Sequence, residues 1–139
     1  MTGEPTVREM RLVVTATDYA EAVHFYRDVL GLPERDAFAT SDGRVTILEA
    51  GRATLEIADP AQAEFIDRVE VGRRVAGHVR VAFEVADSAG TAHLLAANGA
   101  TILAEVTMTP WRDLNVRLEA PAGLQLTLFS PTSGGAGPD

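Results

Sequence analysis

Three histidines are the side chains best suited to move protons at neutral pH, and one of them stands where chemistry is expected. His78 lies two residues before Arg80 in an alternating, strand-like run, so the two side chains share one face. A histidine base near a carboxylate, with an arginine to stabilise an enolate-like oxygen, is the set that metal-free acid–base catalysis would use. His78 reads equally as a partly exposed strand-end residue. His24 and His93 fall on helical patterns, away from that face. There is no cysteine, which removes disulfides, thiolate metal sites, iron–sulfur clusters and cysteine nucleophiles together. Nor is there a Gly-x-Ser-x-Gly elbow, a phosphate-binding glycine loop or a His-Glu-x-x-His pair. The single tryptophan, Trp111, stands in Thr109-Pro-Trp-Arg112, as the aromatic wall of a pocket or as a loop anchor in the core.

Charge narrows the partners. Twelve Lys and Arg against twenty Asp and Glu give a net charge of −8 and a pI near 4.8. That balance argues against a nucleic-acid groove or an anionic membrane surface, both of which need clustered cations. With 139 residues, 46% hydrophobic but only 6% aromatic, the chain can close one compact domain around an aliphatic core. No run approaches the ~20 apolar residues of a membrane helix, and the start has no apolar stretch of signal-peptide length. A soluble, cytoplasmic protein is expected, acting on neither nucleic acid nor membrane.

The elements that must position these residues come as a repeat. Arg11-Leu-Val-Val-Thr-Ala-Thr-Asp18 and Arg80-Val-Ala-Phe-Glu-Val-Ala-Asp87 align at an offset of 69 residues, and His24 and His93 correspond at the same offset. Each segment alternates, ends at a helix-capping Asp, and leads into a helical pattern stopped by glycine, at Gly31 and at Gly99. Period-two stretches follow at 35–40, 44–50 and 53–58, and again at 101–108, 114–119 and 124–129. The chain therefore reads βαβββ twice, an α+β architecture. Its parts are an N-terminal arm (1–9), a first module (10–59), a linker with a short helix (60–77), a second module (78–129) and a flexible tail (130–139).

Asp18, Phe25-Tyr-Arg-Asp-Val-Leu-Gly31 and the glycine-closed second helix resemble the vicinal-oxygen-chelate superfamily. That group includes glyoxalase I, extradiol dioxygenases, fosfomycin-resistance enzymes and bleomycin-resistance proteins. The resemblance covers nearly all of residues 10 to 130. It implies two tandem βαβββ modules that curl a mixed sheet into a cup with helices outside, and two chains that usually pair. In metal-using relatives four ligands, typically His and Glu, point into the cup from the first and last strands of each module. The resemblance assigns these positions to Arg11, Glu56, Arg80 and Thr127. Arginine does not deprotonate, so it offers no lone pair to a metal, and one carboxylate with one hydroxyl is a poor site. His78 with Glu56 would make half a site, but the first strand supplies nothing to complete it. No metal and no cofactor is expected.

Without a dication, Glu56 would be an isolated carboxylate in a partly buried cleft, which is costly. Either Arg11, Glu56 and Arg80 form a structural ion-pair cluster on the cup floor, or one guanidinium holds an acidic or carbonyl oxygen of a ligand. Strand parity turns Leu114, Val116, Leu118, Leu124, Leu126 and Leu128 toward a helix and leaves Asn115, Arg117, Gln125, Thr127 and Phe129 on the cup side, with Trp111 by extension. Phe38 is the aromatic candidate of the first module. Thr109-Pro-Trp-Arg112 followed by Pro121-Ala-Gly123 is similar to a stretch of bleomycin-resistance proteins that lines their drug crevice, although Arg112-Asp113 departs from it. The expected function is a metal-free small-molecule binder that sequesters an antibiotic or other natural product as a homodimer. The expected ligand-binding residues are Trp111, Phe38, His78, Arg80, Glu56, Arg11, Asn115, Arg117 and Thr127. The alternative is a lyase, isomerase or dioxygenase with an unrecognised or metal-free active site.

Overall fold

Among the described residues, three aspartates fix where three α-helices begin. The computed structural model describes residues 11, 12, 14, 16–53, 56 and 59–132. Helix α1 (Tyr19–Val23) starts where the Asp18 carboxylate accepts the Glu21 N–H at 3.0 Å. It runs on as a π-helical turn, His24–Val29, closed by the Leu30 N–H on the Phe25 carbonyl. Helix α2 (Pro60–Glu70) is capped by Asp59, which accepts the Gln62 N–H at 2.8 Å, and Pro60 occupies the first turn, where no N–H is needed. Helix α3 (Ser88–Ala96) is capped by Asp87 on the Gly90 N–H. A Cβ on Gly90 would come within 2.3 Å of that carboxylate, so glycine is what lets the cap close.

Strands β1 (Glu34–Thr40) and β2 (Gly43–Leu48) make an antiparallel hairpin with Phe38 opposite Val45. Strands β3 (Val81–Glu84), β4 (Thr101–Met108), β5 (Asp113–Ala120) and β6 (Leu124–Pro131) form a mixed sheet in the order β3-β6-β5-β4, with β3 parallel to β6. The second half of the chain thus runs β3-α3-β4-β5-β6, the βαβββ order that the repeat predicts. In the first half, α1, β1 and β2 stand as expected, but the flanking strands expected at 11–18 and 53–58 include residues 13, 15, 54, 55, 57 and 58, outside the described residues. The arm at 1–9 and the tail at 133–139 also lie outside them. Residues 130–132, assigned to the tail by sequence, instead continue the sheet: β6 extends to Pro131, and the Thr132 N–H bonds the Arg112 carbonyl. The architecture is α+β with open sheets. Among the described residues no helix is long and apolar enough to cross a membrane.

The four-stranded sheet has two unlike faces. On one, Val116, Leu118, Leu126 and Leu128 pack against Ala92 and Leu95 of α3 and against Phe25. Phe25 brings the first module's helix into this core, and Tyr26 secures it by donating from its hydroxyl to the Pro121 carbonyl at 2.8 Å. Burial pushes the Tyr26 hydroxyl pKa up to about 12, so this donor keeps its proton. The other face carries Asn115, Arg117, Gln125 and Thr127, and α2 covers it. Linker and sheet are therefore one packed unit. Because Leu126 has no exposure and Leu94 on α3 is half exposed, Leu126→Ala is expected to cost about 2–5 kcal/mol. Leu94→Ala is expected to cost no more than about 0.5 kcal/mol. Urea unfolding of the two variants checks the contrast.

Candidate functional site

Arg117 is completely buried in the middle of β5, and its surroundings organise the polar face. Its Nε donates to Glu70 Oε1 at 3.0 Å, and its Nη2 lies 2.9 Å from the same oxygen. Its Nη1 donates to Asp67 Oδ1 and to Gln125 Oε1, each at 2.7 Å. Asp67 and Glu70 are three apart on α2, hence on one face of the helix, and both are buried. Glu70 is held further by the Thr127 hydroxyl, which donates to Oε1 at 3.0 Å, and by Asn115 Nδ2, which donates to Oε2 at 2.7 Å. Two carboxylates thus enclose one guanidinium, and Gln125, Thr127 and Asn115 add neutral hydrogen bonds around them, which helps a buried charge to be tolerated.

The segment after α2 completes the arrangement. Asp67 Oδ2 accepts the Arg74 guanidinium and the N–H groups of Val75 and Ala76 at 2.8–2.9 Å. Burial opposes ionisation of Asp67, but the Ala76 and Val75 N–H groups with Arg74 and Arg117 outweigh it and hold the carboxyl well below the usual carboxylate range. Arg80 approaches from β3 and donates to the Thr127 hydroxyl at 2.7 Å. Burial, then the neighbouring Arg117 cation, lowers the Arg80 pKa, yet a guanidinium still keeps its proton at neutral pH.

The structure brings together four of the residues singled out by sequence: Arg80, Thr127, Arg117 and Asn115. They lie beneath α2 instead of on an open floor. Glu56 is exposed and its charge acts on Arg80, while Arg11 is also exposed. Trp111 is half-buried against Phe65 of α2, ring centroids 6.3 Å apart, with no hydrogen-bond partner for its buried Nε1 among the described residues. Phe38 is exposed on the β1–β2 hairpin. His78 is exposed and, with Asp59, Ala63 and Arg74, lines an open cleft of about 350 Å³ beside the start of α2.

Sequence reasoning missed Asp67, Glu70 and Arg74. A usable signal was present: two acids three apart on the inner turns of a helix, and an arginine alternating with leucines in a strand that must be central. The superfamily resemblance would imply a divalent metal held at the four corresponding positions, Arg11, Glu56, Arg80 and Thr127. Two are arginines, and in the second module Arg80 already donates to Thr127, so these side chains do not fit a metal ion. Among the described residues no group of three or more His, Asp or Glu is placed to hold one.

A family model described as "Glyoxalase/Bleomycin resistance protein/Dioxygenase superfamily" matches residues 10–128. Solved structures share the fold at low identity. A lactoylglutathione lyase from Agrobacterium tumefaciens is 22% identical over 91% of this chain and 95% of its own, with a TM-score of 0.53. A superfamily member from Sphaerobacter thermophilus DSM 20745 is 20% identical over 85% and 91%, TM-score 0.56. A glyoxalase-related enzyme from Fulvimarina pelagi is 14% identical over 94% and 96%, TM-score 0.55. No curated protein matches the chain significantly.

The Asp67 carboxyl gives the polar face a pH dependence of known sign. Its folded-state pKa is depressed, so its contribution is complete above the unfolded value of about 3.9 and is lost as pH falls through the folded one. At neutral pH, Asp67→Asn is expected to cost about 3–5 kcal/mol, because it leaves Arg117 and Arg74 without their shared counter-charge. By pH 3 that gap should narrow. Urea midpoints of both proteins at pH 7 and pH 3 measure it, and a gap of constant size would refute the assignment.

Proposed function

Since the chain belongs to the Glyoxalase/Bleomycin resistance protein/Dioxygenase superfamily, we propose that it is a metal-independent, small-molecule-binding member that acts by sequestration. The observation that carries this reading is the Arg80–Thr127 hydrogen bond at two positions where metal-using relatives present ligands. A guanidinium held there favours binding an oxygen-rich guest over activating one through a metal. Sequestration needs affinity and abundance, without transition-state stabilisation. The guest is an antibiotic or similar natural product, taken up in the cytoplasm. Trp111, beside Phe65, and Phe38 supply aromatic surface for it. His78, Arg11 and Glu56 border the approach, and Arg80, Asn115, Arg117 and Thr127 form the polar floor.

The working unit is a homodimer in this reading. Leu12, Val14, Phe38 and Val45 of the first half are all exposed, the kind of apolar surface a second copy covers. Sedimentation is expected to give about twice the 14.8 kDa chain mass, and a monomer would remove this part of the proposal. Intrinsic fluorescence of the single Trp111 tests the binding function, titrated with bleomycin-like, enediyne-like and polycyclic aromatic compounds. Saturable quenching at one ligand per site, with the compound recovered unaltered, is the expected result. A chemically altered compound, or near-stoichiometric Fe, Ni, Zn or Mn in tag-free protein, would favour the lyase, isomerase or dioxygenase alternative.

A further inference from the structure

The polar floor already holds a ligand-like group, and that group belongs to the chain itself. Glu70 presents one carboxylate to Arg117 Nε and Nη2, the Thr127 hydroxyl and Asn115 Nδ2, all within 2.7–3.0 Å. Thr127 is also one of the positions that, by family resemblance, faces the centre of the site. The oxygen of Glu70 therefore sits where a bound small molecule would be read.

The way α2 is attached bears on whether it can leave. Its buried residues are Ile66, Asp67 and Glu70, so two of the three are acids. Phe65, its other large apolar side chain near the sheet, is still 37% exposed. Whereas α3 buries Ala92 and Leu95 and no acid, α2 holds the sheet through Ile66 together with the charge-assisted hydrogen bonds of Asp67 and Glu70. A grip of that kind is exchangeable, because an incoming carboxylate can take the place of Glu70 on Arg117, so that the buried guanidinium keeps a counter-charge while Asp67 and Glu70 pass to solvent. A neutral molecule of the same shape cannot. By contrast, an apolar interface would have to be re-exposed to water whatever the ligand's charge.

We propose that Arg117, Thr127 and Asn115 form a carboxylate receptor occupied in the free protein by Glu70, so that α2 is a displaceable plug and the preferred ligands are carboxylate-bearing small molecules. The inference rests on the small-molecule-binding reading above and narrows its ligand class. It also gives the linker a task, since Asp67 and Glu70 leave the floor together when α2 lifts. Binding then selects the open conformation, and ligand affinity is reduced by the fraction of molecules that are plugged.

Hydrogen exchange of the intact protein with benzoate and with benzamide, at fixed pH and ionic strength, tests this directly. Benzoate is expected to speed exchange of the α2 amides about tenfold or more while leaving α3 and β5 unchanged, and benzamide to do neither. No change with benzoate, the same change with benzamide, or greater protection of α2 would overturn the plug. Calorimetry on Glu70→Gln adds a second reading: benzoate should bind about tenfold more tightly or better once its competitor is neutral, and unchanged or weaker binding would count against the proposal. If that variant does not fold, exchange on the natural sequence decides alone. The two proposals fail separately. A natural product bound with α2 fully protected and no benzoate response overturns the plug only, whereas benzoate opening α2 while the natural-product panel fails overturns sequestration only.

Discussion

Arg117 imposes the constraint from which the rest of this molecule follows. Its guanidinium stays charged at any pH the protein meets, and strand β5 places it at the centre of a sheet with no exposure. A lone cation there would be untenable, so carboxylates must come to it. They come from α2, which is why a linker helix lies against the sheet instead of trailing in solvent. Once Asp67 is fixed, Arg74 and the N–H groups of Val75 and Ala76 are drawn onto its second oxygen, and the path of the chain toward His78 and β3 is set. The same docking brings Phe65 to Trp111.

The sheet is consequently held by two different kinds of force. On the α3 side, leucines and valines are buried by area, at roughly 1.5–3 kcal/mol for each large side chain. On the α2 side, the interaction is directional and electrostatic, and its net worth is the small remainder of Coulomb attraction after desolvation. Stability therefore resides mainly in the first face and specificity in the second. In the proposed binding role that division has a use: the apolar face stays intact while the polar face exchanges partners.

Much of this was legible in the sequence. The capping aspartates Asp18 and Asp87, the 69-residue offset and the glycine stops located α1 and α3, because these are local signals with local causes. Alternation in β5 and β6 correctly separated Val116, Leu118, Leu126 and Leu128 from Asn115, Arg117, Gln125 and Thr127. What covers the second group was not legible. Parity says which face a residue occupies but is silent on which distant element meets it, and Glu70 lies 47 residues from Arg117 in sequence. The expected Arg11–Glu56–Arg80 cluster assigned carboxylates to arginines by family position, and such positions do not show that a helix in the linker supplies two carboxylates to Arg117. Trp111 was open between pocket wall and anchor, and its contact with Phe65 is compatible with both.

A double-mutant cycle between Arg117 and Glu70, using Arg117→Met and Glu70→Gln and read by urea unfolding at pH 7, measures the interaction that holds α2 on the sheet. A coupling energy of about 2–3 kcal/mol is the predicted result, at the upper end of the range for residues in one buried network. Effects that add to within about 0.5 kcal/mol, as independent sites do, would mean that Arg117 does not hold α2 through Glu70.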